Sequence, residues 1–382
     1  MAWTAISTRN ETPAISRGGW LDALRFIVAS LIILHHFQAA GPVPLAELIN
    51  PIFERGGFLL TNFFLIDSGY VLMRVYGPSV GAGKMSAGDF FAKRFLRVYP
   101  AHLLMGLVLV VLVVASTAAG IGPRNPEWFR WDQLPAQLTL TQAFGVYGGL
   151  GWNAPSWSIS ALVGCYLAFP WLLKVMRRMG PWAVLAGVVA LYLLANQATH
   201  ALFGYPVYQM PMMYGFWRAL PLFILGMGLA VFTEKVWIAP KLAAVVGIVS
   251  AVAFFALELH GKHALIALTL ISLIILAAGA VPVTRPSKLV EKLSVMSFSM
   301  FITNEVTRIA FFGVANVMIA KLALPVAAQW GLWVLGVVMA FVVAFGFHIL
   351  VDQPIQNRIK TWLKSRRRRP SPVVGPVVSL EG

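Results

Sequence analysis

Arg25 and His36 are the residues with the clearest potential for chemistry, because both lie in one long hydrophobic run. Ionisable side chains are costly inside a membrane-spanning helix, so they are expected to serve a function there. Their spacing of eleven residues places them within roughly 20° of one helix face and about 16 Å apart along the axis. They cannot touch, so we expect them to serve two ends of one elongated ligand or tunnel. His35 points about 100° away and is expected to play a supporting part.

The composition indicates a membrane protein. Of the 382 residues, 59% are hydrophobic and 12% are charged, the reverse of the balance in a soluble protein. The net charge of +16 is distributed over short segments between apolar runs, which favours membrane orientation over a nucleic-acid partner. The single cysteine, Cys165, excludes a disulfide within the chain and a cysteine-based zinc site, and no metal is expected.

Ten apolar segments of roughly 20 residues predict an all-α, polytopic membrane protein. The connections between them, together with the tails, alternate in charge: one set contains 22 of the 30 lysines and arginines, and the other contains five. Because positively charged segments stay in the cytoplasm, both termini are predicted to be cytoplasmic. The predicted spans are about 20–40, 57–76, 99–119, 156–176, 182–200, 212–232, 242–259, 264–282, 296–319 and 330–351.

The chain is predicted to contain one transmembrane domain, residues 20–357, between two cytoplasmic tails. The first hydrophobic run is long, contains Arg25 and lacks a small-x-small cleavage site, so we expect it to remain as the first span. The N-terminal tail comprises residues 1–19. Residues 358–382 are basic and rich in proline, which is typical of a disordered tail that touches anionic lipid.

Further polar residues interrupt the second and ninth spans. Asp67 needs a partner inside the membrane, and Gly69 allows another backbone to approach closely. In the ninth span, Glu305 and Arg308 are three residues apart and could neutralise each other, and Asn304 could form a hydrogen bond across helices.

Arg94 and Arg97 form a second arginine motif, followed by Tyr99 and Pro100. The two arginines share a helix face, and their guanidinium groups suit phosphate or carboxylate oxygens. The alternative is that they are basic residues at a helix end that set the membrane topology.

The order of these motifs resembles the acyltransferase-3 family, whose members are bacterial multi-pass membrane proteins that O-acylate surface and secreted glycans. The resemblance covers about residues 20–357 and departs from the common pattern at Asp67, Ala161 and Asn304, where many relatives have an apolar residue, a glutamate and a histidine. It is carried by Arg25 and His36, Phe63 to Tyr70 including Ser68, the set Arg94, Arg97, Tyr99 and Pro100, and the segment Trp157-Ser158-Ile159-Ser160.

The resemblance implies an acyl-CoA donor, in the first instance acetyl-CoA, on the cytoplasmic side of the bacterial inner membrane. The acceptor would be a hydroxyl of a cell-surface or exported polysaccharide. His36, with Arg25, would be catalytic; the neutral imidazole favoured by removal from water is the form of a general base, and an acyl-histidine intermediate is also open. The resemblance further implies that Arg94, Arg97 and Tyr99 bind the donor, and that His35, Ser68, Trp157 and Ser158 support the site.

Two other functions remain open. Embedded arginine, histidine, aspartate and glutamate side chains could line the pathway of a transporter or flippase for a lipid-linked glycan. An inactive member of the family could act as a scaffold. The ordered set of motifs favours the enzyme.

Overall fold

A computed structural model describes residues 6–8, 17–42, 57–120, 122–123, 125–146, 151–260 and 265–367. Within these ranges the fold consists of α-helices, short 3₁₀ turns, one π-helical turn and one small sheet. The α-helices are α1 Trp20–Phe37, α2 Gly57–Gly81, α3 Ala87–Ala118, α4 Leu134–Thr139, α5 Trp157–Met176, α6 Pro181–Phe203, α7 Gly215–Lys235, α8 Pro240–Leu259, α9 Leu265–Ala280, α10 Lys288–Leu322, α11 Val326–Phe347 and α12 Gln353–Arg367.

The helical architecture agrees with an all-α membrane protein. Each of the ten predicted spans overlaps one long helix, and seven helical stretches in the described residues are long and apolar enough to cross a membrane. The other three spans overlap α9, which has only 16 residues, and α2 and α10, which contain buried polar side chains. The number of crossings and the orientation of the termini stay predictions.

Helices α2 and α7 cross with their backbones in close contact. A Cβ atom at Gly69 of α2 would collide with the carbonyl oxygen of Phe223, and one at Gly226 of α7 would collide with that of Ile66. Glycine has no Cβ, so the two backbones can meet at both points. The prediction that Gly69 admits a second backbone is therefore confirmed.

Helix α10 is packed against both α1 and α3. Ile33 and Phe37 of α1 share a buried apolar cluster with Met300 and Phe312 of α10. On another part of α10, Ile302 packs with Val98 of α3 in a separate cluster. The helix that carries the polar residues of the ninth span therefore lies next to the helix that carries His36.

A two-stranded antiparallel sheet joins the N-terminal tail to the connection after α7. Strand β1, Ile6–Thr8, pairs with strand β2, Val236–Ile238, in the register Ile6 to Ile238. The all-α prediction missed this sheet, because a three-residue strand gives too short an alternation to recognise. The pairing puts both segments on one face of the molecule, as the charge pattern predicts.

The C-terminal region departs from the prediction of disorder. Helix α11 continues through the π-helical turn His348–Asp352 into α12, so residues 358–367 are helical. Ile359, Trp362 and Leu363 recur at the spacing of one helix face, which the basic composition obscured. The side-chain Nε2 of Gln356 donates to the carbonyl oxygen of Arg97 at 3.1 Å and ties α12 to α3. Residues 368–382 of the predicted tail lie outside the described residues.

Candidate functional site

His36 lies in the last turn of α1 and is held by a residue of α10. Its Nδ1 is 2.7 Å from Oδ1 of Asn304, a fully buried residue. The Nδ2 group of Asn304 donates to the carbonyl oxygens of Phe301 at 2.6 Å and Met300 at 3.3 Å, which fixes the orientation of the amide. Oδ1 therefore accepts a hydrogen bond from the N–H group at Nδ1 of His36, and Nε2 of the imidazole carries the lone pair that a base requires.

A charged pair follows Asn304 on α10. Arg308 donates from Nη2 to Oε1 of Glu305 at 2.6 Å and from Nε to Oε2 at 2.9 Å, so the predicted neutral pair is confirmed. The guanidinium group also lies 5.9 Å from the ring centroid of Trp128.

Arg25 is held by two carboxylates. Its Nε lies 2.7 Å from Oδ2 of Asp67 on α2, and its Nη1 lies 2.8 Å from Oδ1 of Asp22. The same Asp22 oxygen accepts a hydrogen bond from the hydroxyl of Ser294 on α10 at 2.8 Å. Asp67 thus has the partner that the sequence required, and Arg25 links α1 to α2 and, through Asp22, to α10.

Arg94 lies between two tyrosines. Its guanidinium carbon is 5.8 Å from the ring centroid of Tyr76 on α2 and 5.3 Å from that of Tyr166 on α5. Its Nε is buried without a hydrogen-bond partner among the described residues. The tyrosines orient the guanidinium group and leave one of its donors unused.

Arg97 lies one helical turn further along α3. Its Nη1 donates to Oδ1 of Asp352 at 2.7 Å, and its guanidinium carbon is 4.5 Å from the ring centroid of Phe298. Tyr99 stacks on Phe95, with ring centroids 4.7 Å apart. Arg94 and Arg97, which are predicted to bind the acyl-CoA donor, therefore lie on one helix, and each has protein partners of its own.

The other predicted site residues occupy different surroundings. The ring of His35 lies 5.4 Å from that of His36, and Ser68 follows Asp67 on α2. The guanidinium carbon of Arg218 lies 4.9 Å from the ring centroid of Trp157.

Ser158 has a local partner at the start of α5. Its hydroxyl donates to the carbonyl oxygen of Pro155 at 3.1 Å, which satisfies a polar group where the helix begins.

Sequence reasoning identified one polar contact incompletely and missed another. The sequence predicts that Asn304 hydrogen-bonds across helices, and the structure identifies His36 as its partner. His102, which is 1% exposed, lies 2.6 Å through Nε2 from the carbonyl oxygen of Gln137. Only its position five residues after Arg97 could have drawn attention to His102 in the sequence.

The comparisons with known proteins agree with the motifs. A family model described as an acyltransferase domain, Acyl_transf_3, matches residues 19–349. The chain belongs to the acyltransferase-3 family. The family match includes His36, Arg25, Arg94, Arg97 and Asn304, all within helices of the structure.

Two curated relatives are similar to parts of this family member. Acyltransferase MdmB of Streptomyces mycarofaciens is 28% identical over 186 residues, which are 47% of this chain and 46% of the relative. Protein 2 in the picA locus of Rhizobium radiobacter is 25% identical over 153 residues, 36% of this chain and 73% of the relative. The matched region spans about half the length of MdmB. No solved structure matches the chain significantly.

Proposed function

We propose that this chain is a multi-pass O-acyltransferase of the bacterial inner membrane. It would transfer an acyl group, in the first instance acetyl, from cytoplasmic acyl-CoA to a hydroxyl of a cell-surface or exported glycan. The acyltransferase domain match and the relative named as an acyltransferase support this class of reaction. The seven apolar helical stretches support a location in a membrane.

The bond between His36 and Asn304 is the observation that carries the proposal. With the proton held on Nδ1, Nε2 of His36 takes the proton of the acceptor hydroxyl while the hydroxyl oxygen forms a bond to the thioester carbonyl carbon. The carbon–sulfur bond then breaks, and the CoA thiolate takes the proton back from the imidazolium. General-base catalysis of this kind contributes about 10²–10⁴-fold to a rate.

The donor would approach along α3. Guanidinium groups bind phosphate oxygens with charge-assisted hydrogen bonds, and Arg94 has a buried Nε without a partner among the described residues. A donor phosphate at Arg97 would compete with Asp352, which is 2.7 Å away. Arg25, paired with Asp67 and Asp22, is assigned a positioning role for α1 in this proposal.

Mass spectrometry of surface glycans tests the proposal in a strain that lacks the gene and is complemented with variants. We expect His36→Ala to abolish the ester-linked acyl group at an unchanged amount of membrane protein, and His35→Ala to retain most of it. If His36→Ala retained acylation, His36 would be rejected as the general base. If the amount of exported glycan fell while its acyl content stayed constant, the transporter would replace the enzyme as the better function.

A further inference from the structure

A buried polar network joins α3, α4 and the segment before α5. Nε2 of His102 donates to the carbonyl oxygen of Gln137 at 2.6 Å. The Oγ of Ser156 lies 3.1 Å from Oε1 of Gln137 and 2.7 Å from the carbonyl oxygen of Asn153. Gln142 donates from Nε2 to the same Oγ at 3.0 Å. None of the five residues is more than 4% exposed.

Three side chains of this network retain a buried atom that has no partner among the described residues. These atoms are Nδ1 of His102, Oε1 of Gln142 and Oδ1 of Asn153. All three are acceptors: the His102 proton lies on Nε2, which faces a carbonyl, and the amide NH₂ groups of Gln142 and Asn153 face other acceptors.

The network lies at nearly the same depth as the proposed catalytic base. Nδ2 of Asn153 is 3.5 Å from the carbonyl oxygen of Ile302 on α10. Asn304, which holds His36, follows two residues later, a rise of about 3 Å along the helix. One short stretch of α10 therefore contacts both the base and the network.

The chemistry of the unpaired atoms selects the ligand. Buried acceptors are normally satisfied, and these three require hydrogen-bond donors. A phosphate or carboxylate would bring further acceptors and a negative charge against them, which is unfavourable. Hydroxyl groups of an uncharged sugar, or buried waters alone, supply the donors.

We propose that His102, Gln142 and Asn153 form a subsite for the non-reacting hydroxyl groups of an uncharged, polyhydroxylated acceptor. The subsite rests on the proposed function, because the acceptor that it binds is the one whose hydroxyl His36 deprotonates. The three atoms are shielded from solvent in this arrangement. Access of the acceptor to these atoms requires that residues 125–146, which carry Gln142, move away from α3.

Tryptophan fluorescence of the full chain in nanodiscs, without acetyl-CoA, measures binding directly. The probes are glucose, maltose and trehalose, with glucose 6-phosphate as the anionic counterpart of glucose. We expect saturable binding of at least one neutral sugar by the parent chain. Gln142→Met should weaken it at least tenfold, and Asn153→Leu provides a second variant if the first fails to fold. Gln209→Met makes the same chemical change at an exposed position and should leave binding unchanged.

Three outcomes would overturn the subsite: no saturable signal with any neutral sugar, which means buried waters only; unchanged affinity in the folded Gln142 and Asn153 variants; or tighter binding of glucose 6-phosphate than of glucose. A failure of the proposed function looks different. In that case His36→Ala retains acyl transfer in the glycan assay, while the sugar titration is unaffected.

Discussion

Nδ1 of His36 and Oδ1 of Asn304 lie 2.7 Å apart, although 268 residues separate them in the chain. The contact joins the end of α1 to the middle of α10 and fixes which imidazole nitrogen is available. Asn304 is itself fixed by the carbonyl oxygens of Phe301 and Met300. The position of one proton thus depends on the backbone of a different helix.

Replacing Asn304 by alanine should lower kcat about tenfold or more, because the Nδ1 proton loses its acceptor and the tautomer needed for base catalysis is less populated. The KM for acetyl-CoA should stay unchanged. Steady-state kinetics of the purified chain check both values. Thr303→Val removes a buried hydroxyl one residue away and is the control. An unchanged kcat in Asn304→Ala would contradict the tautomer argument.

Asp67→Asn should destabilise the fold by about 3 kcal/mol, at the lower end of the cost of breaking a buried ion pair, since Asp22 still pairs with Arg25. Thermal unfolding in detergent measures the loss. Asp132→Asn is the matched control, because this exposed carboxylate pairs with Arg130 outside the apolar helices and should leave stability unchanged. If Asp67→Asn instead raised the KM for acetyl-CoA at normal stability, Arg25 would bind the donor rather than position α1.

Gly226→Ala should destabilise the crossing of α2 and α7 by about 1–3 kcal/mol, because the added methyl group meets the carbonyl oxygen of Ile66. Thermal unfolding in detergent measures this loss as well. Gly313→Ala, in α10, places its methyl group in open space and should keep or slightly increase stability, since alanine favours the helix. Equal stability of the two variants would show that the helices separate easily at this crossing.

Arg97→Ala should raise the KM for acetyl-CoA about tenfold, the expected loss when one hydrogen bond to a charged group is removed. Arg94→Ala is also expected to raise the KM for acetyl-CoA, and the double variant should have a higher KM than either single variant. Arg178→Ala removes an exposed positive charge on the same predicted face and should have no effect. An unchanged KM in the double variant would restrict both arginines to a structural or topological role.

The predicted orientation can be tested with single cysteines, because the native Cys165 is buried. Cysteine at Gly180 should react with a membrane-impermeant maleimide only after the cells are opened, and cysteine at Gly122 should react in intact cells. Both glycines are exposed and lie in open space without a positive φ, so a new side chain is tolerated sterically. The reverse pattern of labelling would invert the topology.

The local features of the site were readable from the sequence. The need of Asp67 for a partner and the pairing of Glu305 with Arg308 both depend on helical periodicity and on the cost of an isolated charge in an apolar helix. The long helices follow from the same apolar runs. These predictions succeeded because each depends on residues close in the chain or on one strong energetic requirement.

The contacts between distant segments could not be predicted from the sequence. Nothing in the sequence indicates that Asn304 meets His36, that Asp352 meets Arg97, or that His102 joins the segment before α5. Such pairs depend on which helix faces which, and a hydrophobic run carries little information about its neighbours. The helix after residue 353 was missed because lysine and arginine outnumber its apolar residues.

The pairing of β1 with β2 has a consequence for biosynthesis. The partner strand of residues 6–8 is made about 230 residues after them, once α7 has been synthesised. At about 5–20 residues per second, strand β1 waits roughly 10–50 s for that partner. His36 waits longer still, because Asn304 is synthesised after a further helix pair. The contact between His36 and Asn304 is therefore among the last to form during insertion, and a chain truncated before α10 would enter the membrane without it.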